Sequence, residues 1–239
     1  MRIPTIIILS IVVLFGCNQA QSKSPEENQK VKQATESAPV LINDTIFTFE
    51  EYEVNKLPSG WSQYFTGRGN GTDWKNIDDN GNKVLAQLSD DNPNYHFNVI
   101  VYDGFKTKDV KLKVKMKGVK GRKDQGGGFV WRFTNADNYY VVRANPLEDN
   151  VVLYKVVNGR RTDLPLVGKG RTYGVDVPPL GNDWNELALT VKGDLFTVFL
   201  NGKELFKVKD ETFTNEGKIG LWTKADAVTY FDDFQVIKL

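Results

Sequence analysis

From Val110 to Lys117 the chain alternates without a break, with Val110, Leu112, Val114 and Met116 apolar and Lys111, Lys113, Lys115 and Lys117 charged. Neighbouring side chains of a β-strand point to opposite faces, so this period of two predicts a strand with one buried and one solvated face. A sheet of that kind needs a second apolar layer to cover its greasy side. The lysine row itself reads in two ways. It is either a surface for an anionic polymer or lipid headgroups, or a wall that keeps the sheet soluble and blocks edge pairing.

Further along, residues 126–157 read as three strands, 129–133, 139–145 and 151–157, separated by the turn-rich stretches 134–138 and 146–150. Strands in such close succession pair antiparallel, which predicts a meander. Alternation then sends Phe129, Trp131, Phe133, Tyr140, Val142 and Ala144 inward. Val130, Arg132, Tyr139, Val141, Arg143 and Asn145 are expected on the outer face. Two guanidinium groups would share that open surface. Planar donors beside aromatic rings suit a sugar ring or a carboxylate. The expected ligand-binding set is Arg132, Arg143 and Asn145 as donors, with Tyr139, Tyr154 and Trp222 as stacking surfaces. The plainer alternative is that the arginines are solvated or paired with Asp137, Glu148 or Asp149.

Composition excludes several classes of function. Thirty-one Lys and Arg against thirty Asp and Glu give a net charge of +1, which offers nothing to attract nucleic acid. Aromatic residues make up 12% and glycines number 21, which fits many short strands joined by tight turns. One cysteine, Cys17, allows no internal disulfide and no Cys/His metal site. The sole histidine, His96, sits in a strand-like run, and no Gly-x-Ser-x-Gly elbow accompanies it.

The chain opens with Arg2 and an apolar run from Ile3 to Phe15, too short to span a bilayer and flanked as a signal peptide is. Its end, Leu14-Phe15-Gly16-Cys17, resembles the bacterial lipoprotein signal, which implies lipidation of Cys17 and a lipid-anchored protein of the outer membrane or periplasm. Residues 1–17 are thus expected as a signal peptide. Residues 18–44, rich in Gln, Ser, Lys, Glu and Asn, cannot bury enough surface to offset chain entropy and are expected as a polar tether. Residues 45–239 form the expected single globular domain, a monomer.

Within that domain, Asp79-Asn80-Gly81-Asn82 predicts a tight hairpin between residues 74–78 and 83–88. Residues 67–73 (GRGNGTD) form a glycine-rich loop without the ending of a phosphate loop. Residues 160–179 read as a long connection. Residues 184–209 form a double hairpin turning at Gly193-Asp194 and Asn201-Gly202, with Leu187, Leu189, Val191, Phe196, Val198 and Leu200 inward. In all, roughly fourteen strands are expected.

The motifs Trp184-Asn185-Glu186-Leu187, Thr197 to Lys203 (TVFLNGK), Gly217 to Trp222 (GKIGLW) and Tyr230 to Val236 (YFDDFQV) resemble concanavalin A-like jelly-roll domains. The laminin G-like and 3-keto-disaccharide hydrolase branches are the most similar. The resemblance implies an all-β, two-sheet antiparallel sandwich and a choice among lectin, binding module and glycosidase. It also implies a structural calcium between first and last strands, for which Glu50, Asp232 and Asp233 are the candidate ligands. The Glu-x-Asp-x-Glu spacing of related glucanases is missing, since Glu50-Glu51-Tyr52-Glu53 lacks the central Asp.

Three functions follow as expectations. The first is a surface-anchored protein that binds a glycan without turnover. The second is a hydrolase or lyase on a disaccharide, with Glu148, Asp137, His96 and Asp176 as its only candidate titratable groups. The third is a partner-binding module of a cell-surface complex.

Overall fold

The computed structural model describes residues 44–239. The signal-like run, Cys17 and most of the polar tether lie outside the described residues. Sixteen strands follow one another without a helix among the described residues. The first five are β1 (Asp44–Phe47), β2 (Trp61–Gly67), β3 (Trp74–Asp79), β4 (Asn82–Gln87) and β5 (His96–Tyr102). Next come β6 (Val110–Lys120), β7 (Gly127–Asn135), β8 (Asn138–Asn145), β9 (Asn150–Val157), β10 (Arg160–Asp163) and β11 (Val175–Asp176). The last are β12 (Asn185–Lys192), β13 (Leu195–Leu200), β14 (Lys203–Lys209), β15 (Lys218–Lys224) and β16 (Val228–Lys238).

They form two eight-stranded antiparallel sheets packed as a sandwich of the expected jelly-roll kind. Sheet A runs β14-β13-β12-β6-β16-β4-β3, with β1 added beside β16. Sheet B runs β10-β9-β8-β7-β15-β5-β2, with β11 added beside β9. First and last strands are therefore neighbours, as the resemblance implied, with Asp44 opposite Ile237 and Phe47 opposite Phe234.

Turn chemistry sets the register. Asn80 and Gly81 both have positive φ, the requirement of the tight hairpin joining β3 to β4. Gly220 is needed for a different reason: a Cβ there would lie 1.9 Å from the Ile100 carbonyl oxygen. Between the sheets, Leu112, Val114 and Met116 of β6 meet Phe129, Trp131, Tyr140 and Val142 of the meander, with Leu187, Leu189, Phe196 and Val198 from the double hairpin. Trp131 stacks on Tyr140 at 5.3 Å between ring centres, and Phe196 meets both edge-on. Buried aromatic pairs of this kind add about 0.5–1.5 kcal/mol beyond the area they remove from water.

The lysine row of β6 lies on the outer face of sheet A, where it is mostly paired. Lys113 bridges Glu186 at 3.1 Å, Lys115 bridges Asp233 at 2.7 Å, and Lys117 is held by Asp79. With its charges matched this way, the row is a solvated wall and carries little net attraction for a polyanion.

Candidate functional site

The outer face of sheet B differs in kind. Residues opposite one another on antiparallel strands share a face, and the register connects Trp222 with Val99, Val130 with Val141, Val141 with Tyr154, and Tyr139 with Val156. These side chains join Phe97 and Phe133 in a second apolar cluster, separate from the inter-sheet core. The Tyr139 hydroxyl is fixed by Thr66 Oγ1 at 2.7 Å, and burial pushes its pKa well above the ordinary phenol value. The Tyr154 hydroxyl donates to that of Tyr173 at 3.1 Å.

Over this cluster lies a guanidinium that the sequence reading passed by. Arg161 of β10 sits 4.3 Å from the ring centre of Tyr154, 4.8 Å from that of Phe97 and 5.8 Å from that of Trp222. One of its terminal nitrogens is buried without a partner, as is Asp163 Oδ2 on the same face. By alternation Asn145 belongs there too, and its side-chain nitrogen is likewise unpartnered. Buried polar groups are usually satisfied, so Arg161 and Asp163 leave a donor and an acceptor open beside the rings, while Asn145 lies at the far end of β8. The ring floor is closed off, while Arg161, Asp163 and Lys224 at its rim are half-buried and reach solvent.

Residues 160–164 were expected to open a long connection, but β10 pairs with β9 from Arg160 opposite Val157 to Asp163 opposite Tyr154. The overlooked signal is Asn158-Gly159, whose positive φ angles make the same kind of tight turn as Asn80-Gly81. The Tyr95 hydroxyl latches this hairpin, donating to the Gly159 carbonyl at 3.0 Å and accepting the Arg161 N–H at 2.9 Å.

The expected pair of open arginines is corrected. Arg132 and Arg143 are each only 2% exposed and do not share a surface. Arg132 has φ +48 within an irregularity of β7 that breaks its register with β8 between Trp131 and Asn135. The break turns its guanidinium off the outer face, where it donates to the carbonyls of Lys108, Phe213 and Gly193 and ties strand ends together. Arg143 keeps the outer face that alternation gave it, but it is consumed by Glu148 at 2.7 Å, by Tyr154 at 3.2 Å and by Asn150. Of the expected ligand set, Tyr139, Tyr154, Trp222, Arg143 and Asn145 fall on one face and Arg132 does not.

The candidate calcium ligands each have a protein partner. Glu50 accepts the Lys83 backbone N–H at 3.0 Å, Asp232 accepts from Asn82 at 3.0 Å, and Asp233 bridges Lys115. Among the described residues no three acidic, histidine or cysteine side chains come together at metal-holding spacing. The candidate catalytic groups are also scattered. Asp137 and Glu148 lie in turns at opposite ends of β8, and Asp176 lines a recess beside Pro178 and Pro179. His96 is buried between the Arg68 carbonyl at 2.8 Å and Asn98 Oδ1 at 3.0 Å.

The 3-keto-alpha-glucoside-1,2-lyase-like domain family matches residues 55–237. The chain belongs to that family. Among solved structures it is similar to the carbohydrate binding module CBM66 from Bacillus subtilis, with 20% identity, a TM-score of 0.56, and 74% of this chain and 94% of that chain covered. It is also similar to the GH43 protein BlXynB from Bacillus licheniformis, with 14% identity, a TM-score of 0.52, and 83% of this chain against 40% of that one. At these identities the likeness is one of fold. No curated protein matches the sequence.

Proposed function

We propose that this member of the 3-keto-alpha-glucoside-1,2-lyase-like family binds a glycan on the outer face of sheet B. The observation that carries the reading is Arg161, spread over three aromatic rings with a buried nitrogen left without a partner. A sugar supplies what the face lacks, since its hydroxyls accept from Arg161 and donate to Asp163, while its C–H face suits the rings. Entry requires β10 to move outward. It is a four-residue strand hydrogen-bonded on one side only. The similarity to a carbohydrate binding module agrees with this reading.

The test is a glycan microarray probed with wild type and Arg161→Ala. Selective binding by the wild type and at least about tenfold loss in the variant is expected, in line with removing a central arginine anchor. Equal binding by both proteins, or none by the wild type, would overturn the proposal.

The family's description favours a second reading, in which the same face turns over a disaccharide. Asp163, which stands opposite Tyr154 and pairs with Arg171 at 2.7 Å, and Glu148, which pairs with Arg143, are the carboxylates such a reaction would draw on. A panel of glycosides followed by product detection decides it, and no release from any of them counts against turnover.

A further inference from the structure

The other wall of the sandwich carries its own recess. On the outer face of sheet A, Asn82, Lys115, Trp184, Asp232 and Asp233 line a cavity of about 380 Å³. That volume lies within the range of about 300–1,000 Å³ usual for small-molecule pockets. The recess forms where β16 bulges between Asp232 and Gln235, with Asp233 at φ +48. The bulge lets two consecutive carboxylates line one hollow. Asp232 Oδ1 accepts the Asp233 N–H at 2.7 Å, Asp232 Oδ2 accepts from Asn82 at 3.0 Å, and Lys115 meets Asp233 at 2.7 Å.

Trp184 supplies the remaining side. Of the five tryptophans it alone is substantially open, at 37% exposure, while Trp61, Trp74, Trp131 and Trp222 are buried. Lys117 Nζ lies 4.8 Å from the centre of the indole and 5.3 Å from that of the Tyr230 ring, and is itself anchored by Asp79. An exposed indole beside donors and acceptors in a hollow of this size suits the C–H face of a sugar ring. We propose that this recess is a second saccharide site, distinct from the face of sheet B, that takes a neutral pyranose. The C–H face of the sugar lies on Trp184, its hydroxyls donate to Asp232 and Asp233, and Asn82 and Lys115 donate to its oxygens. Two carboxylates against one ammonium disfavour an anionic sugar.

Because the other tryptophans are buried, acrylamide quenching of the full chain reports on Trp184. Methyl glycosides of glucose, galactose and mannose serve as neutral probes, with glucuronate as the charged control. At least one neutral glycoside should lower the quenching constant about twofold as it covers the indole. The protection should persist in Arg161→Ala and disappear in Asp233→Asn, whose asparagine tolerates the positive φ. Lys115→Met provides a second variant should Asp233→Asn unfold, and it too should lose the protection. Absence of protection by every neutral glycoside, equal protection by glucuronate, or loss of protection in Arg161→Ala would overturn the proposal.

Discussion

The two outer walls are built from strands of contrasting grain. In sheet A, β6 and β12 are buried at every second residue, and their remaining side chains reach water as Lys113 and Glu186 do. In sheet B, β8 is buried from Tyr139 to Asn145 and β9 from Asn150 to Tyr154. An antiparallel sheet usually spends one face on the core and leaves the other wet. Sheet B spends both, and its outer face therefore holds an aromatic and guanidinium cluster where sheet A holds a charged fence. A polar group on the wall of sheet B is constrained and expensive to leave alone, whereas one on the wall of sheet A is nearly free.

The sharpest way to break that contrast is to place the same charge on each wall. Val141→Lys should destabilise by about 3 kcal/mol or more, because it buries an unpaired ammonium among Val130, Tyr154 and Trp222. Ala188→Lys on the lysine wall should stay within about 0.5 kcal/mol. Chemical denaturation of both variants checks this, and equal losses would abolish the distinction. Next in size, Arg143→Ala should cost about 3 kcal/mol by stripping Glu148, Asn150 and Tyr154 of a shared partner, read as a fall in melting temperature.

A smaller effect is expected where the two sheets meet at one end. Burial raises the Asp210 carboxyl, but Lys155 at 2.8 Å, Thr212 and the Tyr140 hydroxyl at 2.6 Å outweigh it and hold its pKa below the ordinary carboxylate value. A depressed carboxylate stabilises the fold above its unfolded pKa of about 3.9, and this is lost as pH falls through the lower folded value. Asp210→Asn should therefore be less stable by about 1 kcal/mol at neutral pH and converge with wild type in acid. Stability curves against pH that stay parallel into acid would refute the assignment. Smallest of all, Lys113→Ala removes one exposed ion pair and should shift stability by about 0.5 kcal/mol or less.

The same contrast explains what was legible in the chain. Sheet A wrote itself plainly, because one wet face leaves a period of two in β6 and β12, and Asn80-Gly81 and Asn201-Gly202 announce their turns. In sheet B alternation placed Tyr139, Val141 and Arg143 on the outer side correctly, yet it carried no sign that this side is buried. The available clue was the unbroken apolar grain of residues 139–142 and 151–154. Arg132 escaped because a single irregularity in β7 reverses everything after it, and nothing in Trp131-Arg132-Phe133 reports a φ of +48. Arg161 escaped because its strand is four residues long and was absorbed into a loop. Asp232 and Asp233 were singled out as a pair, and the structure places both in one recess. Adjacent carboxylates are visible in a sequence, whereas the lysine, asparagine and tryptophan around them come from three other segments.

The hydroxyl of Tyr95 has a kinetic corollary. If the rings under Arg161 are reached only when the short hairpin swings away, ligand arrival is gated by how often that phenol lets go, and the observed dissociation constant is the intrinsic one divided by the open fraction. Tyr95→Phe would then quicken association and tighten apparent binding without altering a single group that touches the sugar. Amide exchange of Arg161 would time the opening directly.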